Sequence, residues 1–524
     1  MAFIQCHPPR SRILYIVIAV GLFLNAILLL RLSSSTRDTV ELDEEVKEAE
    51  KTSVPPNNNN NNNNNCKDTR RVVWINAKKE VAMSHVMAVF DRLDYRAIYK
   101  AEYHFNLPTE PWDVMWSHGY PYNVFKDELK HLLPHQKINH FPGTSCFVSK
   151  PKLSTQGFPF MPRSFRLPFE AKKLMAEVNS RPNTLWVQKS NKHRGIRVIK
   201  PKEINLNFEG SIVQEFITNP MIIDGRSFDI GVYVVITSIN PLRVYVYGEE
   251  ILWRFCAKNY YPFNPKNKRS YVVDDEYTPA WEIPSLTPLV KDKGLSHKEA
   301  FNYILTKKGF KSRQFWDQAH SIIQKVLMHC ESNVVNYTRS YASTRNFFEL
   351  VRFDFILTEE LKVWLMEVNL SPNLSSSHTT DNRFLYEQII FNSVKLTGLA
   401  RGVGLGLHYN GETESIMLVN DHDIQAPLQQ CLNNSCSQNC GYHLSCQLCH
   451  SCMSEELSFT LKSAFLEFTN RRNFYRLVPP PLTGCHGNLL LTGGVNSHVS
   501  LRVNNYLMDE WYRGKCCQNH HWCS

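Results

Sequence analysis

Two carboxylates and one amide stand close together in the apolar stretch 347–374: Asp354, Glu367 and Asn369. Carboxylate and amide oxygens are ligands that suit Mg²⁺, usually together with the phosphates of a nucleotide. For these three side chains to bind one ion, they must lie on one face of the same element. A solvated strand face with scattered polar residues is the alternative interpretation. The spacing alone does not decide between the two.

The stretch predicts a β-hairpin with strands 348–357 and 362–369 and a turn at 358–361. In this register Asp354 faces Leu365. Because side chains alternate with period two along a strand, the three polar side chains then share one face. The other face is predicted to pack on a core through five apolar residues: Phe353, Phe355, Trp364, Met366 and Val368. A one-residue change in turn length would reverse the assignment of faces.

The elements that must position this hairpin are strands and helices in mixed order. Residues 71–76 and 113–117 predict short strands of a small N-terminal lobe, and several β-rich runs follow between 184 and 250. Asn240-Pro241 predicts a turn between the last two of these runs. Apolar residues at helical spacing between 315 and 330 predict a core-facing helix. The fold class is therefore α/β (α+β), with layered mixed sheets and helices.

The hairpin stretch also carries a resemblance, since FELVRFDFILTEELKVWLMEVNLSPNLS resembles the closing motif of the tubulin tyrosine ligase-like family. This resemblance implies an ATP-grasp body over residues 70–405 and a divergent polyglutamylase-like activity. ATP would phosphorylate a carboxylate, and an amine would attack the acyl phosphate. Other stretches agree with the family in order and spacing: INHFPG, FMPRSFRLP, WVQKSNKHRGIRVI, IVQEFITNPMIIDGRSFDIGVYVVITSINPLRVYVY and ILWRF.

The resemblance also implies roles for individual residues. Asp354, Glu367 and Asn369 match the family's Mg²⁺ ligands, and Arg254 with Glu367 is assigned to catalysis. Lys189 matches the lysine that contacts the phosphates of ATP. The remaining cofactor-binding residues are the phosphate loop, the adenine hinge and two positions of a later strand: Arg194, Gly195 and Ile196; Gln214, Glu215, Phe216 and Ile217; Ser227 and Asp229.

Departures from the family pattern open a second interpretation. Ser190 follows Lys189 where the family has proline, and the loop after it has one glycine instead of two. The family's K-F-D-L-R motif is S-F-D-I-G here, so Ser227 and Gly231 replace a lysine and an arginine. Arg226 is one residue out of step with that motif. The metal face is retained while part of the substrate clamp is missing, a pattern that fits either a divergent enzyme or a nucleotide-binding pseudoenzyme.

Ten of the fifteen cysteines follow residue 430, and six of them lie between 431 and 452. The C-x-x-C-x-x-C run near His443 and His450 could bind zinc in a reducing compartment. In an oxidising compartment the same residues would form disulfides in a small, loop-rich region, 406–524, and the spacing favours this interpretation. Asn336 and Asn433 begin possible N-glycosylation triplets.

The N-terminal residues predict a membrane anchor, 1–31, followed by a polar stalk, 32–69, that contains nine consecutive asparagines. Ile13–Leu30 is an apolar run of spanning length interrupted by Asn25, and it lacks an A-x-A-like cleavage site. The basic residues are evenly divided around the run, so they do not fix its orientation. The cysteines and glycosylation triplets favour a lumenal body, whereas a tubulin substrate would require a cytosolic one.

Composition narrows the function classes. A single segment has spanning length, which excludes a polytopic transporter or channel, and a net charge of +10 favours acidic partners. The leading hypothesis is an ATP- and Mg²⁺-dependent ligase that adds free glutamate to glutamate side chains of tubulin tails or another acidic protein; no nucleic-acid partner is expected. The alternatives are a membrane-tethered nucleotide-binding interaction module and a ligase for a lumenal protein. Glutamate and glycine are not distinguished.

Overall fold

The computed structural model describes residue 68 and residues 70–99, 106–189, 196–274, 276–376, 382–400, 419–432, 435–485 and 502–524. The predicted anchor Ile13–Leu30 and nearly all of the stalk lie outside these residues. Within the described ranges, no helix has the length and apolar character needed to cross a membrane. Residues from Arg70 to Ser524 form one compact unit.

An all-parallel sheet of four strands opens this unit, in the order β2-β1-β3-β4. Its strands are nearly continuous apolar runs, as expected for a parallel sheet covered on both faces. Helix α1 (Ser84–Arg92) connects the first two strands. The predicted strands of the N-terminal lobe are thereby confirmed. The strand bounds are β1 Arg71–Asn76, β2 Tyr95–Ile98, β3 Val114–Ser117 and β4 Lys137–Ile138.

A smaller antiparallel sheet follows, with the order β5-β8-β6-β7. Its core contains Trp186 and Val213, and Leu174 on helix α4 packs into the same cluster. Two short helices precede this sheet, α2 (Ser145–Val148) and α3 (Lys150–Ser154). The remaining bounds are β5 Ser164–Arg166, α4 Ala171–Ser180, β6 Trp186–Lys189, β7 Arg197–Ile199 and β8 Ile212–Glu215.

The largest sheet has eight strands, and its long central strand β10 (Arg226–Ile239) pairs with four neighbours. Strands β10 and β11 form the predicted hairpin around Asn240-Pro241. The sheet separates the two largest apolar clusters, because alternate residues of β10 point into each of them. The other bounds are β9 Ile222–Ile223, β11 Leu242–Tyr247, β12 Leu252–Phe255, β13 Thr278–Pro279, β14 Glu349–Leu357, β15 Val363–Leu370 and β16 Phe474–Val478.

Helices cover both faces of this sheet. The predicted stripe on helix α6 is confirmed, since its seven residues at helical spacing are all buried: Phe315, Ala319, Ile322, Ile323, Val326, Leu327 and Cys330. Helix α7 packs on the opposite side of the sheet through residues such as Ile389 and Ile390. The bounds are α5 His297–Lys307, α6 Ser312–Thr338 and α7 Arg383–Leu396.

The hairpin of β14 and β15 has a different register from the predicted one. Leu357 lies opposite Val363, so the turn is one residue longer than expected. A second extra residue, Met366 on β15, is accommodated where the register shifts, opposite the step from Asp354 to Phe355 on β14. Each extra residue shifts the pairing by one position, and the two together shift it by two, which is one full period of side-chain alternation. Asp354 therefore still shares a face with Glu367 and lies directly opposite it.

The irregularity does change the other face of the hairpin. Val363 and Leu365 are buried together with Phe353, Phe355 and Val368. Trp364 and Met366, which the regular alternation assigns to the core, are only half-buried. That part of the prediction is wrong, because an extra residue in a strand inverts the alternation beyond it.

The cysteine-rich C-terminal residues join the same structure, since β16 pairs with β11 at one edge of the large sheet. All ten C-terminal cysteines form disulfides with one another: Cys431–Cys449, Cys436–Cys446, Cys440–Cys452, Cys485–Cys517 and Cys516–Cys523. The described residues contain no group of three or more histidine, cysteine, aspartate or glutamate side chains that could hold a metal ion. The disulfide alternative is therefore the one the structure adopts. The helices here are α8 Gln429–Leu432, α9 Ser435–Gln438, α10 Glu455–Asn470 and α11 Val503–Gln518.

Candidate active site

The candidate site lies where β10, β14 and β15 run side by side. Gly231 on β10 lies opposite Asp354 on β14, which in turn lies opposite Glu367 on β15. The Nδ2 of Asn369 donates to Asp354 Oδ2 at 2.8 Å and to Glu367 Oε1 at 3.1 Å. The three side chains singled out by their spacing therefore come together, as the sequence predicts. Their oxygen-rich chemistry fits a Mg²⁺ site, with the amide linking the two carboxylates.

Asp354 is buried and accepts hydrogen bonds from two arginines. Arg352 forks onto it, with Nε at 2.6 Å from Oδ1 and Nη2 at 2.8 Å from Oδ2. Arg254 donates to the same Oδ2 at 3.0 Å. Sequence reasoning did not identify Arg352, although it lies two residues before Asp354 on the same strand and the alternation of side chains places both on one face.

Glu367 is the more accessible carboxylate, and it pairs with Lys150 at 2.6 Å. Burial by itself would raise its pKa, but the charge and hydrogen bond of Lys150, the Asn369 amide and Lys189 together lower that pKa to about 2. Glu367 is thus ionised across the whole neutral range. Lys150 begins helix α3, more than two hundred residues from Glu367 along the chain, and sequence reasoning missed it as well.

Arg254 and Asp229 form a buried pair beside these carboxylates. Arg254 donates through Nε to Asp229 Oδ1 at 2.9 Å and through Nη2 to Asp229 Oδ2 at 2.7 Å. Burial raises the pKa of Asp229 to about 6, Arg254 opposes this rise, and the neighbouring Asp354 charge adds to it. Both residues therefore lie at the predicted site, and Arg254 links two acidic side chains.

Lys189 ends β6 in the smaller sheet and donates to Gln214 Oε1 at 2.8 Å. Burial lowers the pKa of Lys189 to about 8; Glu367 counteracts the shift and Lys150 adds to it. These electrostatic effects place Lys189 near the carboxylate hairpin, where it can face an anion. Of the predicted phosphate loop, Arg194 and Gly195 lie outside the described residues, and Ile196 is half-buried just before β7.

The other predicted hinge residues follow Gln214. Glu215 is paired with Arg181 at 2.8 Å, and the backbone N–H of Phe216 donates to Leu185 O at 2.9 Å. The Phe216 ring stacks on Phe263, with centroids 5.4 Å apart. Ile217 follows, half-buried, at the end of this segment. Glu215 and the Phe216 N–H are therefore engaged within the protein, while Gln214 faces Lys189.

Strand β10 departs from the family pattern at two places: at its start, Arg226 and Ser227, and further along, Gly231. Ser227 is buried, and its hydroxyl donates to Ser270 O at 3.1 Å and contacts Cys256 Sγ at 3.2 Å. Arg226 donates to the Cys256 carbonyl at 2.9 Å, so its guanidinium is already engaged. Gly231 leaves a space that is filled by the Arg352 side chain.

The charged residues of the site are more basic than acidic. Four cationic side chains surround three carboxylates: Lys150, Lys189, Arg254 and Arg352 with Asp229, Asp354 and Glu367. One net positive charge in a largely buried site favours a bound anion. Oxygen-bearing side chains and basic groups on one face of a mixed α/β protein suit a polyphosphate together with a divalent cation.

The comparison with known proteins specifies the family. The sequence profile of the tubulin-tyrosine ligase family matches residues 127–401, and the chain belongs to this family. It is 35% identical over 466 residues to the probable tubulin polyglutamylase ttll-15 of Caenorhabditis elegans, covering 87% of each chain. The resemblance inferred from the hairpin motif is therefore confirmed.

Two mouse relatives are more distant. The chain is 29% identical over 307 residues to the tubulin monoglutamylase TTLL4 of Mus musculus, which is 55% of this chain and 25% of that protein. It is 29% identical over 350 residues to the tubulin polyglutamylase TTLL6 of Mus musculus, which is 62% of this chain and 42% of the relative. The chain thus spans most of the worm relative and less than half of either mouse protein.

Proposed function

We propose that this protein is an ATP-dependent ligase that joins glutamate to glutamate side chains of an acidic protein, with the acidic tails of tubulin as the first acceptor to test. The observation that carries the proposal is the convergence of Asp354, Glu367 and Asn369 on one face, with the half-buried Lys189 close enough for its charge to act on Glu367. The names of the relatives support glutamate over glycine and tubulin over other acceptors.

The chemistry follows from the charges of the site. Asp354, Glu367 and Asn369 would hold Mg²⁺, which would supply positive charge to neutralise the charge that develops during phosphoryl transfer. Lys189, and Lys150 beside Glu367, would contact the phosphates of ATP. The terminal phosphoryl group passes from ATP to an acceptor carboxylate, and the glutamate amine then displaces phosphate to form the amide bond.

Basic residues orient the anionic reactants in this scheme. Arg254 is fixed between Asp229 and Asp354, so its guanidinium needs no reorganisation when a substrate carboxylate approaches. The excess of basic side chains attracts an acidic acceptor, and the net charge of +10 acts in the same direction at longer range.

Radiolabelled glutamate incorporation into purified tubulin tests the proposal, with ATP, Mg²⁺ and the full chain present. Glu367→Gln removes the ionised carboxylate but keeps the shape of the side chain, so we expect incorporation to fall about 100-fold or more. Glu359→Gln, at the exposed hairpin turn, is the matched control and should retain wild-type activity.

Equal incorporation by the wild type and Glu367→Gln would refute the metal role of Glu367. Mg²⁺-dependent ATP binding without any incorporation would instead identify a nucleotide-binding pseudoenzyme. The protein's thermal unfolding midpoint, measured for each variant, separates loss of chemistry from loss of fold.

A second candidate keeps the same chemistry and changes the acceptor. Six disulfides join the described residues, including Cys146–Cys330 within the catalytic body, and such bonds persist in oxidising compartments. They support a body that lies in the lumen of the secretory pathway, where an acidic lumenal protein would be the acceptor. Incorporation into lumenal proteins but not into tubulin would favour this second candidate.

A further inference from the structure

Gly231 and Arg352 occupy the same space beside the carboxylates. An ideal Cβ built on Gly231 would lie 2.6 Å from Arg352 Cδ and 3.0 Å from its Nε. Both distances are too short for a real side chain, so the arginine lies over the glycine only because no Cβ is present. Gly231 is directly opposite Asp354 in the sheet, and this location brings the guanidinium to the carboxylate.

The hydrogen bonds of Asp354 are unevenly divided between its two oxygens. Oδ2 accepts from Arg352, Arg254 and Asn369, whereas Oδ1 accepts one bond, at 2.6 Å, from Arg352. A carboxylate has about four lone-pair directions, two on each oxygen. Oδ2 is therefore fully used, and Oδ1 keeps one direction for a further ligand.

Arg352 is the one partner that contacts both oxygens. A guanidinium that donates two parallel bonds fixes the plane of a carboxylate as well as its position. Arg254 contacts only Oδ2, and its orientation is already set by two bonds to Asp229. Arg352 is itself nearly inaccessible, with 5% of its surface exposed, so it cannot reach a substrate in solution.

We infer that Arg352 is a positioning residue that fixes the plane of Asp354 and presents a single oxygen, Oδ1, to the metal–nucleotide complex, and that Gly231 is required to admit it. The kinetic test of this inference rests on the proposed function, because it measures glutamate incorporation. It assigns a role to a residue outside the predicted metal and cofactor set, and it explains why a glycine is needed at 231.

A double-mutant cycle between the two positions tests this pair, using Arg352→Ala, Gly231→Ala and the double variant in the full chain. We expect Arg352→Ala to lower kcat for glutamate incorporation about 100-fold with a smaller change in KM, because Asp354 loses its orientation. Gly231→Ala should lower kcat by displacing the guanidinium. In the Arg352→Ala background, Gly231→Ala should cause no further loss of kcat.

A second readout does not depend on ligase activity. The ratio of ATP affinity with Mg²⁺ to that with EDTA, measured by displacement of a fluorescent ATP analogue, should fall about tenfold in Arg352→Ala. If the wild type incorporates no glutamate and this ratio still falls, the proposed function fails and the inference stands. If kcat and the ratio are both unchanged, Arg352 is merely structural and the inference is overturned.

Arg243→Ala is the matched control for a buried arginine. Arg243 lies further along the same sheet and forks onto Glu467 at 2.8 and 2.9 Å, with a similar exposed fraction of 5%. This variant should lower the thermal unfolding midpoint and leave the Mg²⁺ ratio unchanged. If Arg352→Ala does not fold, Arg352→Lys replaces it. Its kcat should fall about tenfold at a near wild-type midpoint, and an unchanged kcat would overturn the inference.

Discussion

Lys189 is a half-buried cation whose pKa responds to the charge of Glu367 on the carboxylate hairpin, and its environment makes its charge sensitive to pH. Burial lowers its pKa to about 8, although Glu367 counteracts the shift. The hydrogen bond to Gln214 at 2.8 Å fixes the position of the amine. If Lys189 binds phosphate, ATP affinity depends on a proton that is lost just above neutral pH.

We therefore expect KM for ATP to rise as the pH increases above 8, because neutral Lys189 attracts phosphate less strongly. Lys189→Arg keeps its charge over the whole range and should abolish this rise. Steady-state kinetics between pH 7 and 9.5 would show the difference. Lys202→Arg, at an exposed position, is the control. Identical profiles for wild type and Lys189→Arg would rule out this role.

Single residues also show what local sequence can and cannot reveal about the site. Asp354, Glu367 and Asn369 were identifiable because they share one hairpin, where the alternation of side chains can be read from the sequence. Lys150 completes the site from a distant helix, through a contact that no spacing rule predicts. Arg352 lies two residues before Asp354 on the same strand, so the alternation places both on one face, but its position over Gly231 depends on the neighbouring strand.

At the scale of elements, strand β16 contacts helix α6 through a hydrogen bond between two side chains. His320 Nε2 lies 2.5 Å from the hydroxyl of Tyr475, which belongs to β16. Burial, together with the charge of Lys298, lowers the pKa of His320 to about 4, with Asp317 acting in the opposite direction. The imidazole is neutral in the folded protein at neutral pH, while the unfolded chain binds a proton near pH 6.5.

The unfolded state thus binds more protons between pH 6.5 and 4, so the free energy of unfolding must fall as the pH falls through this window. The loss attributable to His320 should reach about 3 kcal/mol. Chemical denaturation at several pH values measures it. His320→Gln should reduce the slope, whereas His329→Gln, at an exposed position of the same helix, should not. An unchanged slope in His320→Gln would contradict the assignment.

Helices α2 and α6 are joined by the disulfide Cys146–Cys330, which closes a loop of 184 residues. A crosslink over such a distance limits the conformational freedom of the unfolded chain, and typical disulfides contribute about 2–4 kcal/mol to the free energy of unfolding. Replacing both cysteines by alanine should lower the free energy of unfolding by this amount. Urea denaturation measures the change. Cys256→Ala, at a free buried cysteine, shows the separate effect of losing a buried thiol.

On the scale of the whole molecule, we propose a lumenal body, because six disulfides join the described residues and such bonds persist in oxidising compartments. The location of the body would decide the acceptor. Protease protection of a C-terminal tag in sealed microsomes, with a glycosidase shift read from the same gel, tests this. Asn336 is exposed on helix α6 and can be reached by the glycosylation machinery. We expect protection and a shift that Asn336→Gln reduces.

Digestion of the tag without any shift would place the body in the cytosol. Tubulin would then stay the leading acceptor, and the disulfides would need another explanation, because cytosolic thiols are kept reduced. Protection with a shift would instead make an acidic lumenal protein the leading acceptor. The chemistry proposed for the site is the same in both cases.

The sequence by itself determined the mixed α/β class, the family, the apolar stripe of α6 and the shared face of Asp354, Glu367 and Asn369, since all of these depend on residue type and short-range periodicity. Only the tertiary structure decided the register of the carboxylate hairpin, the disulfide pairing and the arrangement of Lys150 and Arg254 around Asp354 and Glu367. These features depend on packing between distant segments. Charged groups removed from water must find partners wherever the fold brings them together.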